Sequence, residues 1–140
     1  MTEHTGQCLC GAVKLTIAQD IRVTTACHCN MCRRWAGGPF FAVDVGQSIS
    51  LSGVDNISIF SSSDWAERGF CKKCGTNLYY RLIENNEFHV SVGVLDELSK
   101  LKLTTEYFID EKPGLYDFAN DCQKLTGEEL FAMYAPTDEK

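Results

Sequence analysis

Basic residues are in deficit in this chain: 13 lysines and arginines stand against 19 aspartates and glutamates, a formal net charge of −6 over 140 residues. Binding a phosphate backbone needs clustered cations that release counterions, so this balance argues against a nucleic-acid partner. Long apolar runs are missing as well. No segment approaches the roughly 18 consecutive apolar residues of a membrane span, and the opening MTEHTGQCLCGAVKL lacks the basic start and apolar stretch of a secretory signal. A cytoplasmic protein without a membrane partner is therefore expected. Internal repeats, low-complexity tracts and linkers are absent too, so residues 1–140 are expected to form a single domain, with 44% hydrophobic residues to fill its core.

What is present reads as mainly all-β. Apolar residues recur with a period of two at Val13/Leu15/Ile17, Phe41/Val43/Val45, Ile57/Ile59 and Phe88/Val90/Val92/Val94, the pattern of half-buried strands. Gly37-Gly38-Pro39, Gly53, Gly75 and Pro113-Gly114 punctuate them as turns. Two short helices are expected. One covers Met31–Ala36; the other covers Thr126–Ala135, where Thr126 and Glu129 form a capping-box pattern ahead of Leu130, Phe131 and Met133.

Cysteine, by contrast, is abundant, with eight in the chain. In a reducing compartment so many thiols point to metal ligation or catalysis rather than disulfides. Seven fall into three local groups, Cys8/Cys10, Cys27/Cys29/Cys32 and Cys71/Cys74, while Cys122 stands apart. In an extended segment residues i and i+2 share a face, so Cys8 pairs with Cys10, Cys27 pairs with Cys29, and His28 points away from its neighbouring thiols. In Cys71-Lys72-Lys73-Cys74-Gly75 the chain turns between two thiols, and the glycine supplies the permissive backbone of a metal knuckle.

Cys8, Cys10, Cys71 and Cys74 together make the four thiolates of a closed, structural zinc site. Cys27, Cys29 and Cys32 then leave a second zinc with one exchangeable position, the pattern of catalytic zinc. Such a soft, anionic centre suits a thiol from outside. Spacing alone leaves two other arrangements open. Cys29/Cys32 can join Cys71/Cys74 in one zinc ribbon, or Cys122 can close the triple as its fourth ligand.

The chain resembles the glutathione-dependent formaldehyde-activating enzymes, the S-(hydroxymethyl)glutathione synthase-like proteins. The residues that carry the resemblance are Cys8-Leu9-Cys10-Gly11, Cys27-His28-Cys29-Asn30-Met31-Cys32-Arg33-Arg34 with Gly38-Pro39-Phe40, and Glu67-Arg68-Gly69-Phe70-Cys71-Lys72-Lys73-Cys74-Gly75-Thr76. Gly93-Val94-Leu95-Asp96 and Glu106-Tyr107-Phe108-Ile109 add to them. The resemblance implies a β-tent fold of short coiled sheets. It also implies two zincs per chain, held by Cys8, Cys10, Cys71 and Cys74 (structural) and by Cys27, Cys29 and Cys32 (catalytic). The implied reaction is carbon–sulfur chemistry between a small glutathione-like thiol and an aldehyde such as formaldehyde.

A proton must reach or leave the carbonyl oxygen in that chemistry, and Glu67, His89, Glu106 and Tyr107 are candidates for handling it. His89 reads as an exposed or edge histidine, His4 as disordered tail, Lys72 and Lys73 as an exposed knuckle, and Cys122 as a free buried thiol. Arg33 and Arg34 adjoin the catalytic cysteines, where a guanidinium can grip a carboxylate of the thiol substrate. Two other functions compete: a zinc-stabilised β interaction module without catalysis, and a thiol redox protein using its C-x-x-C pairs.

Overall fold

The structure is a computed structural model that describes residues 3–134. It contains β1 (His4–Gln7), β2 (Lys14–Ile17), β3 (Val23–Cys27), α1 (Asn30–Ala36), β4 (Phe40–Gly46), β5 (Ile49–Ser52) and β6 (Ile57–Ser61). Then come β7 (Ala66–Cys71), β8 (Asn77–Leu82), β9 (Glu87–Ser91), β10 (Lys102–Tyr107), β11 (Gln123–Leu125) and α2 (Gly127–Tyr134). The fold is thus mainly β with two short helices. Its contacts divide the chain into two compact units: Met1–Thr24 with Phe41–Lys102, and Thr25–Phe40 with Leu103–Lys140.

In the first unit, β1, β2 and β5 form an antiparallel sheet in that order, and β4, β9, β8, β7 and β6 form an antiparallel run. The period-two residues do what their spacing predicts: Leu15 and Ile17 on β2, Val43 and Val45 on β4 and Val90 on β9 meet in one buried cluster with Val13, Leu78 and Tyr79. Cys8 and Cys71 belong to the same cluster. Gly6 lets β1 cross the chain closely, since a Cβ there would sit 2.4 Å from the Val94 carbonyl oxygen.

Three expectations fail in this unit. The fourth alternating segment stops at Ser91, and Val92–Val94 forms a 3-10 turn closed by Leu95 N–H on the Val92 carbonyl (3.2 Å). That turn aims Leu95 at Gly6 of β1, so tertiary crossing overrides the alternation. Ile59 is exposed rather than half-buried, because β6 is the outer strand of its run. His4 is no disordered tail: it lies in β1, and its Nε2 accepts the Ile21 N–H at 3.3 Å.

In the second unit, β11 and β10 are parallel, β10 neighbours the end of β3, and the two helices flank this element in sequence. Helix α1 begins one residue earlier than expected because Cys29, extended at φ −66 and ψ 160, serves as its N-cap. It ends at Gly37, whose left-handed φ of 82° lets its N–H reach back to the Arg33 carbonyl. The capping box at α2 is present in both directions. Glu129 N–H donates to Thr126 Oγ1 (3.1 Å), and Thr126 N–H donates to Glu129 Oε1 (2.8 Å). Thr126 therefore precedes the helix, and Ala135 lies outside the described residues.

Candidate metal centres and active site

Cys8, Cys10, Cys71 and Cys74 converge in the first unit, with every sulfur within 4.8 Å of the others. Two thiol separations are 3.7 Å (Cys8–Cys10) and 3.8 Å (Cys10–Cys71). A tetrahedron of sulfurs about 2.3 Å from zinc has edges of about 3.8 Å, so the donor set fits that metal in chemistry and size. The first pair is presented by a turn rather than by extended chain: Gly11, at φ 81°, donates its N–H to the Cys8 carbonyl (3.1 Å). The second uses the parallel device, with Gly75 at φ 80° donating to the Cys71 carbonyl (2.7 Å). Thr76 links the two knuckles, since its hydroxyl accepts the Leu9 N–H (3.0 Å) and lies 3.2 Å from Cys74 Sγ. Those contacts, the Thr76 hydroxyl first and its amide next, hold the Cys74 thiol down to about 5, ready as a thiolate.

Cys27, Cys29 and Cys32 converge in the second unit, again with all sulfurs within 4.8 Å. Among the described residues no further cysteine, histidine or carboxylate completes this group, and Cys122 is not in it. The geometry thus removes both rival arrangements, because Cys71 and Cys74 are with Cys8 and Cys10. The strand end gives Cys27, the extended cap gives Cys29, and the first turn of α1 gives Cys32, whose N–H donates to Cys29 Sγ at 3.3 Å. Contacts with the Cys29 and Cys32 thiols, then burial, push Cys27 far above the ordinary thiol range. Three thiols this close disfavour joint ionisation, and a bound cation would relieve that repulsion.

The loop carrying this triple is clamped from three sides. His28 N–H donates to the Tyr107 carbonyl (3.0 Å), Asn30 N–H donates to Glu111 Oε1 (2.9 Å), and Arg33 Nε donates to the His28 carbonyl (3.0 Å). Arg33 also bonds Asn30 Oδ1. One of the two expected carboxylate grips is therefore engaged by its own loop, while Arg34 is exposed.

His28 turns away from the thiols, as the alternation predicts, but into a buried network. Its side chain is 0% exposed, and its Nε2 lies 2.9 Å from Oε1 of Glu106, which is 2% exposed. Its Nδ1 lies 2.9 Å from the Tyr116 hydroxyl, and its ring stacks on Tyr116 at 5.5 Å and meets Phe118 at 5.4 Å. Lys124 Nζ is 3.9 Å from the other Glu106 oxygen. Burial raises the Tyr116 hydroxyl above its ordinary range, against Arg33 and Lys112, which pull it down. Sequence reasoning named Glu106 but missed its partners. His28 was visible only as the residue between two ligands, and Tyr116 follows 88 positions later, a separation no local pattern bridges.

The other candidates are placed elsewhere. Glu67 is paired to Arg81 across β7 and β8, with Arg81 Nη2 and Nε 2.6 and 2.9 Å from Glu67 Oε1. His89 is neither exposed nor on an edge strand: β9 lies between β4 and β8, and the imidazole, 14% exposed, is 3.5 Å from Glu87. Cys122 is buried as expected, its thiol facing the Leu103 carbonyl at 3.7 Å. Lys72 and Lys73 are exposed.

The family of glutathione-dependent formaldehyde-activating enzymes matches residues 3–111, which include both cysteine groups, His28 and Glu106 but not Tyr116. A Schizosaccharomyces pombe protein named an uncharacterized lyase is 35% identical over 93% of this chain and 96% of its own length. A Podospora anserina protein that carries the family's name is 33% identical over 67% of this chain and 46% of its own length. The chain thus spans nearly all of one relative and about half of the other. A solved Rhodobacter sphaeroides protein shares the fold, with a TM-score of 0.58 at 22% identity over 71% of this chain and 99% of that one.

A mainly β scaffold carrying two cysteine groups of metal-binding geometry defines the class. The chain belongs to the glutathione-dependent formaldehyde-activating enzyme family. It is in this sense an enzyme, and no helix among the described residues is long and apolar enough to cross a membrane.

Proposed function

We propose that the chain is a zinc-dependent carbon–sulfur lyase or synthase that adds a small glutathione-like thiol to an aldehyde such as formaldehyde, or runs the reverse. The observation that carries this reading is the open group Cys27, Cys29 and Cys32, three soft donors with no fourth among the described residues. The family and the lyase name of the S. pombe relative support it. Cys8, Cys10, Cys71 and Cys74 would hold a structural zinc and so tie residues 61 positions apart.

When bound at the triple, zinc supplies Lewis acidity and an exchangeable position that favours the thiolate over the thiol. Every other part of the work falls to the chain. The clamps on His28, Asn30 and Arg33 hold the three sulfurs in register, which preserves the oriented encounter worth up to about 7–11 kcal/mol in well-positioned reactions. Arg34, exposed on α1, offers its guanidinium to a carboxylate of the thiol. In the addition, the sulfur pair forms the C–S bond, the carbonyl π pair moves to oxygen, and that oxygen receives the proton the thiol gave up. No oxidant is needed. Eight cysteines with no disulfide among the described residues suit a reducing compartment such as the cytosol.

The test is zinc per chain together with adduct formation. Wild type should carry two zincs and form a thiol–aldehyde adduct from glutathione and isotope-labelled formaldehyde faster than buffer does. Cys27→Ala should carry one zinc, stay folded and lose the activity. Two zincs that persist in Cys27→Ala, or a single zinc in wild type that added metal cannot raise, would instead support a non-catalytic scaffold.

A further inference from the structure

A third group of converging donors holds no cysteine and takes no part in the reaction proposed above. Asp44, Glu87 and His89 each bring one ligand atom to within 4.8 Å of the others. We infer that they bind one exchangeable divalent transition-metal ion, of the zinc or manganese kind, which fastens β4 to β9.

The register of the sheet builds the group. Asp44 on β4 stands directly opposite His89 on β9, and Glu87 lies two residues before His89, so the three side chains share one face. A bulge follows Asp44, and Gly46 N–H donates to Asp44 Oδ1 at 3.0 Å, which sets the angle of that carboxylate. The β8–β9 hairpin is fixed to the same end of β4. Gln47 Nε2 donates to the Asn85 carbonyl (2.6 Å), and Glu87 N–H donates to Asn85 Oδ1 (3.1 Å). Tyr80, opposite His89 on β8, meets the imidazole edge-on at 5.9 Å and backs the ring.

The observation that calls for a cation is Glu87 Oε1. This oxygen is closed off from solvent, accepts no hydrogen bond, and lies 3.5 Å from His89 Nε2. A carboxylate oxygen so placed has lost its water without a replacement, which is costly. Among the described residues no lysine or arginine pairs with Glu87 or Asp44. Two donors about 2.1 Å from a zinc-sized ion stand about 3.4 Å apart at the tetrahedral angle, so the 3.5 Å gap admits a metal between imidazole and carboxylate. Two carboxylates also cancel the charge of a dication, and one imidazole with carboxylate oxygens suits zinc, iron or manganese. Asp44 is exposed, so water completes the shell and the ion exchanges. Held more loosely than by four thiolates, it leaves on dialysis, and the zinc counts above are unaffected.

The test takes full-length protein, dialysed after loading with zinc, and uses manganese(II) alone as the probe, since thiolates prefer zinc and do not yield it to manganese. Electron paramagnetic resonance should show one manganese bound per chain. Its paramagnetism should broaden the NMR signals of Asp44, Glu87, His89 and Tyr80 before all others. Asp44→Asn keeps the oxygen that accepts Gly46 N–H, and it and His89→Gln should each weaken manganese at least about 10-fold with zinc content unchanged, because loss of even a ligand's supporting partner costs that much. Fresh zinc should displace the manganese, and should raise Tm in wild type but in neither variant.

No bound manganese in wild type, broadening spread over other carboxylates, or equal affinity in wild type and Asp44→Asn would each overturn the assignment. The last two results mean an adventitious ion only, with His89 and Glu87 left as a plain ion pair. Should His89→Gln not fold, the broadening map and Asp44→Asn, at an exposed position, suffice. None of these readouts depends on thiol–aldehyde activity, so failure of the proposed function leaves the site decidable.

Discussion

Replacing Cys71 by serine tests what holds the first unit together. Cys71 is fully buried in the same apolar cluster as Cys8, Val13 and Leu78, so its sulfur belongs both to the candidate metal group and to the packed core. Losing it opens the cross-link between knuckles, where Cys10 and Cys71 are 61 residues apart. Closing a loop of that length restricts the unfolded chain by about 4 kcal/mol. That alone is a large share of the roughly 5–15 kcal/mol by which a domain is stable, and structural zinc in small peptides is worth still more, about 10–16 kcal/mol. At about 3 °C per kcal/mol for a chain of this size, Cys71→Ser should lower Tm by roughly 12 °C or more. The assay is thermal unfolding by circular dichroism, with zinc counted on the same sample, and wild type treated with a strong chelator should fall by at least as much. A variant that loses a zinc yet melts within about 3 °C of wild type would refute the reasoning, because the group would then be a ligand site on an already stable fold.

Other perturbations address separate features. The Cys74 thiol is held at about 5 by Thr76, so the thiolate is stable in the folded state from the ordinary thiol range down to that value and is lost as pH falls through it. Acid release of the first-unit zinc should therefore centre low, and Thr76→Val should move its midpoint to higher pH, as read with a zinc-sensitive dye. Thr126→Ala removes the hydroxyl that accepts the Glu129 N–H and should cost about 1 kcal/mol, a Tm drop of a few degrees with zinc content unchanged.

How far this was legible in the sequence depends on whether the signal was local. Cys8/Cys10 and Cys71/Cys74 could be paired because each knuckle announces itself within five residues, including the glycine that turns it. The same holds for the Thr126/Glu129 box and for Val43, Val45 and Val90 in their strands. Val92–Val94 misled because alternation reports only which face a strand would show, and the crossing that bends the chain there is set by Gly6, 89 positions before its bridge partner Leu95. His89 misled for a similar reason: a polar residue between apolar ones reads as solvent-facing, whereas its strand has neighbours on both sides and its imidazole is packed beside Tyr80 and Glu87. Tyr116 carried no sequence signal at all, since the buried His28 ring it bonds lies 88 positions earlier in the chain.

The segment Cys27-His28-Cys29 joins the cysteine triple mechanically to the buried network behind it. Extended chain sends alternate residues to opposite sides, so the thiols of Cys27 and Cys29 face one way and the His28 ring faces the other. A rotation of this short stretch cannot move the metal seat without moving the imidazole, and the imidazole cannot move without breaking its bonds to Glu106 and Tyr116. The buried pair therefore acts as a brace for the sulfurs. Removing the brace with His28→Ala should loosen zinc at the triple, although no ligand has been touched, and leave zinc at Cys8, Cys10, Cys71 and Cys74 in place. Competition with graded chelators would register this as one weakened site and one unchanged. Equal retention at both would show that the sulfurs hold their register unaided.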